Sequence, residues 1–198
     1  MPLSPSTHNL LWVLIDCAAQ QCHLFQGTKV QRSFPVSTAA KGLGEEVNSF
    51  KTPRGWHVIA EKIGCDAPDN AVFIAREWTG EIFTQAKRAL SPDRDWILTR
   101  ILWLHGMELG KNRGGKFDTY ARHIYCHGSP NQSIDKGNAS KGCVGLTSES
   151  IKVLYASVAI GTPLFIAETG KGIMPSEWVN KAAEIQATYA LETLQYVD

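Results

Sequence analysis

At 198 residues, with 20 Lys and Arg against 19 Asp and Glu, the chain has the length of one domain and a formal net charge of +1. Charge so nearly balanced leaves no electrostatic footprint for nucleic acid or an anionic membrane, and no apolar run reaches membrane-spanning length. Five cysteines, Cys17, Cys22, Cys65, Cys126 and Cys143, give an odd number without the spacing of a disulfide framework, which favours a reducing compartment. Residues 1–9 carry no Lys or Arg, and the apolar run 10–15 is shorter than a signal-peptide core, so the expected location is the cytoplasm.

In chain order, residues 10–16, 22–26 and 29–36 read as three strands of an antiparallel meander, with turns at 18–21 and at Gly27-Thr28. Residues 37–53 are a long Gly, Lys, Ser and Glu loop that ends in Thr52-Pro53-Arg54-Gly55, a sharp entry into a strand over 56–63. His57 alternates with apolar residues there and reads as a face residue. A short strand over 71–75 precedes a polar segment with no clear period, and 96–104 is a hydrophobic strand ending in His105-Gly106. Residues 107–119 are too rich in glycine for a helix and lack a phosphate-loop spacing; they read as a mobile basic flap from which Arg113 or Lys116 meets a substrate carboxylate, or as a plain solvated loop. Thr147 or Ser148 caps a helix to about 159. Residues 163–167 form the last strand, and a terminal helix over 175–194 carries Trp178, Ala182, Ile185 and Tyr189 on one stripe.

The stretch 122–146 concentrates the chemistry. An apolar run ends in His127-Gly128-Ser129, a loop with Pro130, Asn131, Gly137 and Asn138 follows, and Ser140-Lys141-Gly142-Cys143 opens another apolar run. A cysteine attacks as thiolate, so it needs a nearby base or cation and an accessible position. His127 suits the base and Cys143 the nucleophile, with Gly142 letting substrate approach amides that face a developing oxyanion. Two other readings of the same residues stand beside this one. Cys143 and His127 are also types found as ordinary buried structural residues. His105, His123, His127, Cys126 and Cys143 are potential zinc ligands, although Cys126 would point away from its neighbours and no Cys-x-x-Cys occurs.

The segment resembles the signature of the L,D-transpeptidase catalytic-domain (YkuD-like) family, in which His-Gly-Ser/Thr precedes Ser-His-Gly-Cys by a loop. Phe34-Pro35-Val36-Ser37-Thr38, Thr52-Pro53-Arg54-Gly55-Trp56-His57-Val58-Ile59 and the Gly161-Thr162-Pro163 turn agree with it, so the resemblance covers about 10–167 in one chain of 1–198, with 168–198 as a helical extension. It implies a mainly β fold, a YkuD-like β-sandwich or mixed sheet with a helix after the cysteine and an added C-terminal helix. It also implies Cys143 as nucleophile and His127 as base, Gly142 at the oxyanion, and Gly128 or Ser129 orienting the imidazole. Two positions depart from the family: Lys141 where a His is usual, and Gly145 where Arg or Asn is common. Two residues from Cys143, Lys141 would project beside it and bind a substrate carboxylate or favour thiolate, or it is a solvated lysine at a loop end. The implied substrate is a peptidoglycan stem peptide or muropeptide, with no cofactor and no metal. The expected activity is a cytoplasmic L,D-carboxypeptidase that releases terminal D-alanine from tetrapeptides during recycling. Wall cross-linking by the same acyl-enzyme, and a non-catalytic muropeptide-binding domain, are the alternatives.

Overall fold

The computed structural model describes residues 7–173 and 175–194. Residues 1–6, part of the stretch read for a leader, lie outside them. Strands β1 (Leu11–Asp16), β2 (Gln21–Gln26) and β3 (Lys29–Pro35) form the expected meander, β1 and β2 antiparallel and β2 and β3 antiparallel. Next come β4 (Gly55–Ile63), β5 (Ala71–Ile74), β6 (Glu77–Ile82), α1 (Gln85–Leu90) and β7 (Ile97–Gly106). The second half holds β8 (Tyr125–Gly128), α2 (Asn131–Lys136), β9 (Val144–Leu146), α3 (Ser148–Ser157), β10 (Pro163–Ala167) and α4 (Pro175–Leu194).

The strands join one mixed sheet in the order β3-β2-β1-β10-β4-β7-β5-β6, with β8 on β7 and β9 on β8. Its middle strands alternate apolar residues onto both faces, because each face is covered by a helix. On one face Val13, Ile15, Ile59, Leu164 and Ile166 pack with Ile151 and Leu154 of α3. On the other, Trp12, Leu14, Trp56 and Val58 pack with Val179, Ala182 and Ile185 of α4, and Trp178 and Tyr189 flank that contact. The terminal stripe therefore docks on its own domain.

Three parts differ from the sequence reading. The polar segment after β5 forms β6 and α1; β6 lies at the sheet edge with its residues largely exposed, and α1 buries none, so neither carries a hydrophobic period. The loop between the histidine and the cysteine contains α2, whose one buried side chain is Ile134. Residues 107–119 form an ordered turn rather than a mobile flap. Asn112 is buried and its amide donates to the carbonyls of Arg54 and Trp56, at 2.9 and 3.0 Å, and a 3-10 turn spans Gly115–Phe117. His57 agrees with its reading as a face residue of β4: it is fully buried, with its ring nitrogens bonded to Gly55 O and Thr119 Oγ1.

Helix α3 braces the site from beneath. Thr147 caps it by accepting from the Ser150 amide, and Leu154 is wholly enclosed. Thr147→Ala is expected to lower unfolding stability by about 1 kcal/mol, and Leu154→Ala by about 2–5 kcal/mol, both read from urea denaturation.

Candidate active site

A parallel ladder pairs β8 with β9: Cys126 with Val144, His127 with Gly145, Gly128 with Leu146. Paired residues of neighbouring strands point the same way, and successive residues alternate. Cys126, Val144 and Leu146 accordingly enter the core beneath α3. On the opposite face Tyr125, Ile101 and Trp103 cluster, and Cys143 packs against them. His127, two residues from Tyr125 and paired with Ile101, shares that face. The fold thus brings the sequence-predicted cysteine and histidine to one side of the sheet.

The imidazole is held in a defined tautomer. His127 Nδ1 lies 2.8 Å from the Gly128 carbonyl, which can only accept, so Nδ1 carries the proton and Nε2 keeps a lone pair. Ser129 Oγ sits 3.4 Å from the same Nδ1. Gly128 cannot be larger: a Cβ there would lie 2.5 Å from Leu98 O. Burial lowers the His127 pKa, against the opposing pull of the Gly128 carbonyl and the Asp95 charge. The ring is a neutral base.

The sulfur is fixed by main chain. The Tyr125 amide donates to Cys143 Sγ at 3.4 Å, and the thiol donates to His123 O at 3.5 Å. His123 has a positive φ of 56°, which turns its carbonyl toward the cysteine. Burial pushes the thiol up to about 12; the Tyr125 amide and Arg122 oppose the rise, and Asp95 adds to it. The resting group at neutral pH is therefore a protonated thiol. Desolvation outweighs the nearby cations.

The turn before Cys143 is tied down on three sides. Gly142 has a φ of +135°, and a Cβ on it would lie 2.9 Å from Ile124 Cδ1, so the position needs glycine. Its carbonyl accepts from Thr52 Oγ1 at 2.9 Å, which gives the Thr52-Pro53-Arg54-Gly55 element a role in the site. Its amide donates to Ser140 Oγ at 3.1 Å, and Ser140 Oγ donates to Cys143 O at 2.5 Å. The Gly142 amide is thereby engaged within the turn. Among the described residues the Cys143 amide has no hydrogen-bond partner, which makes it the donor open to an oxyanion. Ser37 exchanges both main-chain bonds with Gly145, at 2.9 and 2.8 Å, closing the far edge of β9. Arg122 donates to the carbonyls of Gly44, Glu45 and Lys51 and so fixes the long loop beside the cysteine. Sequence reasoning missed Thr52, Ser37 and Arg122 as supports because each acts through main-chain atoms of distant residues.

Two adjoining cavities open on this face. One, of about 260 Å³, is lined by His127, Ser129, Arg88, Ser133 and Lys136 among others. The second, of about 520 Å³, is lined by Cys143, Tyr125, Arg76, Phe50 and Val47 among others. Asp95, Ser140 and Lys141 border both. Lys141 is exposed there, as a solvated lysine at a loop end would be. Arg113 is not brought to the site. Its guanidinium pairs with Glu192 of α4 at 2.9 and 3.0 Å, on a separate cavity with His105, Glu61, Tyr120 and Tyr189, so a latch onto the terminal helix replaces the expected substrate contact. The five potential zinc ligands are dispersed likewise: Cys126 faces the core and His105 the Arg113 cavity. Among the described residues no three His, Cys, Asp or Glu side chains converge to hold a metal ion.

Gly145 has a steric reason. A Cβ there would lie 2.6 Å from Ser129 Oγ, so the missing side chain leaves the space that Ser129 fills beside His127.

Together these features define a mostly β domain with a cysteine and a main-chain-oriented histidine on one sheet face. Residues 11–166 match the family model described as YkuD, L,D-transpeptidase catalytic domain, and the chain belongs to that family. No curated protein sequence matches it. Among solved structures, Bd1075 of Bdellovibrio bacteriovorus is similar at 16% identity and a TM-score of 0.51, with 91% of this chain and 57% of that one covered. L,D-transpeptidase 3 from Mycobacterium tuberculosis, in complex with a faropenem-derived adduct, gives 15%, 0.49, 80% and 60%. An L,D-transpeptidase from Mycobacterium smegmatis gives 18%, 0.47, 79% and 58%. The chain spans less than two thirds of the length of each.

A thiol with a pKa near 12 reacts through a small thiolate fraction that grows about tenfold per pH unit. In a Cys65→Ser background, which removes the exposed competitor, iodoacetamide alkylation of Cys143 is expected to climb steadily from pH 7 to pH 10. Asp95→Asn should accelerate it at every pH. A plateau at neutral pH would instead reveal a stabilised thiolate.

Proposed function

We propose that the protein is a cysteine acyl-transfer enzyme acting on peptidoglycan stem peptides, and that it works as an L,D-carboxypeptidase. The observation that carries the reading is the shared face of Cys143 and His127, with Nε2 unprotonated and the Cys143 amide open. In this mechanism Cys143 gives its proton to His127 and attacks the carbonyl between an L-centre and a terminal D-alanine. The Cys143 amide stabilises the oxyanion, and His127 returns the proton to the departing amine. A neutral thiol beside a neutral base suits this route, since proton transfer accompanies attack and no charge is stored at rest.

Hydrolysis completes the cycle when His127 deprotonates a water that resolves the thioester. The cavity on the histidine side gives that water a place. Its volume of about 260 Å³ lies a little below the range of about 300–1,000 Å³ typical of ligand pockets, and it readily holds the water that hydrolysis needs. On this reading the protein trims soluble muropeptides from tetrapeptide to tripeptide in the cytoplasm. The high thiol pKa favours the other reading, a muropeptide-binding domain that does not turn its ligand over.

Incubation with a muropeptide tetrapeptide, followed by mass spectrometry, separates the three. Free D-alanine with tripeptide is the expected result. It should vanish in Cys143→Ala and fall by about 10²-fold or more in His127→Ala. A product joining two stems would make the protein a transpeptidase, and unaltered peptide that nonetheless co-elutes with the protein would make it a binding domain.

A further inference from the structure

The chain that returns from β8 to β9 has little of its own to hold it. Between Ile134 and Val144 no side chain is buried, and Asn138, where the segment turns toward the cysteine, has a positive φ of 33°. What holds it is a side chain from the first turn of the protein. Gln20, between β1 and β2, has a φ of 51°, in the left-handed region that favours glycine. Its Nε2 donates to Cys17 O at 2.7 Å and to Thr38 Oγ1 at 2.8 Å, and its Oε1 accepts from the amides of Thr38 at 3.0 Å and Asn138 at 3.1 Å. Both donors and both lone pairs of the amide are thus used, and three segments distant in sequence meet on one residue. Thr38 is buried and its hydroxyl donates to Asn138 Oδ1 at 3.0 Å, which closes the clamp.

We propose that Gln20 is a positioning residue for Cys143, its amide fixing the 138–143 segment against the β1–β2 turn and so setting where the sulfur stands relative to His127. The proposal rests on the reading of Cys143 as the nucleophile. Two routes carry the fixation forward. The Ser140 amide donates to Thr38 O at 2.9 Å and the Ala40 amide to Ser140 O at 3.0 Å, and the Ser140 hydroxyl joins the Gly142 amide to the Cys143 carbonyl. Thr52 Oγ1 accepts from the Ala39 amide at 3.0 Å and donates to Gly142 O. Releasing the clamp has two effects of opposite sign. A loosened segment admits water to a thiol that burial keeps protonated, so Cys143 ionises more readily. The same looseness moves the sulfur away from the imidazole and the Cys143 amide away from the oxyanion, so turnover falls.

The test uses the full chain with Cys65→Ser, iodoacetamide at neutral pH, and peptide mass mapping that reads each remaining cysteine. Gln20→Ala is expected to speed alkylation of Cys143 by about tenfold, the gain from a tenfold larger thiolate fraction. Cys126, in the core on the neighbouring strand, should stay unreactive. Gln20→Glu keeps the two accepting bonds and loses the two donated ones, so its rate should fall between those of the parent and the alanine variant; it serves in place of Gln20→Ala should that variant not fold. Thr38→Val removes the hydroxyl from the same clamp, so combining it with Gln20→Ala should add little to either alone. An unchanged rate at Cys143, or one that rises in step with Cys126, overturns the proposal, because a residue that only supports the fold exposes the buried cysteines together. A double variant whose rate is the product of the single effects overturns the clamp. Alkylation needs no turnover, so failure of the carboxypeptidase reading is seen separately. Where D-alanine is released, release should fall in the variants whose alkylation rises; release that holds steady while alkylation climbs overturns the positioning role.

Discussion

The parallel pairing of Tyr125–Gly128 with Val144–Leu146 is the constraint on which the site depends. Parallel neighbours cannot be joined by a tight hairpin, so the chain must leave the sheet and return. Here it returns through α2 and the Ser140–Cys143 turn, and Ser37 locks the arriving strand from its outer edge. Side chains alternate with a period of two, so a slip of one residue would carry His127 or Cys143 into the core beneath α3. The buried row of Cys126, Val144 and Leu146 forbids that slip, because it would put three apolar side chains at the cavity mouths. Packing on one face thereby fixes which side chains the other presents.

Electrostatics then sets the resting state. A thiol surrounded by Tyr125, Trp103 and Ile101 stays protonated, and an imidazole in a dry pocket stays neutral, because both environments penalise charge more than nearby ions reward it. The main chain supplies most of the orientation: Gly128 O for the ring, the Tyr125 amide and His123 O for the sulfur. Of the residues that border both cavities, Asp95 and Lys141 carry charge and make no hydrogen bond or ion pair among the described residues.

Legibility in the sequence followed burial. Strands β1, β2, β4 and β10, and helices α3 and α4, stand on strong apolar patterns and emerge from the sequence within a residue or two of their observed ends; β3, mostly exposed, emerges from the Gly27-Thr28 turn before it. β6 and α1 do not, since an exposed edge strand and a helix with no buried residue leave no period to read. His127 and Cys143 were readable because residue type announces their chemistry and the motif supplies their order. Asp95 was not, since it follows Ser91, Pro92, Asp93 and Arg94 in what reads only as a chain break, and the fold alone carries it to the cavity ridge. Arg113 misled for a related reason. A basic glycine-rich loop does not disclose which way it faces, and its partner Glu192 is 79 residues away.

The contact between Gly145 and Ser129 has a consequence for substitution at 145. Any side chain at 145 meets the hydroxyl that borders the imidazole, so Ser129 must rotate away from His127 to admit it. The two positions are coupled, and a substitution at 145 is felt at the ring through residue 129.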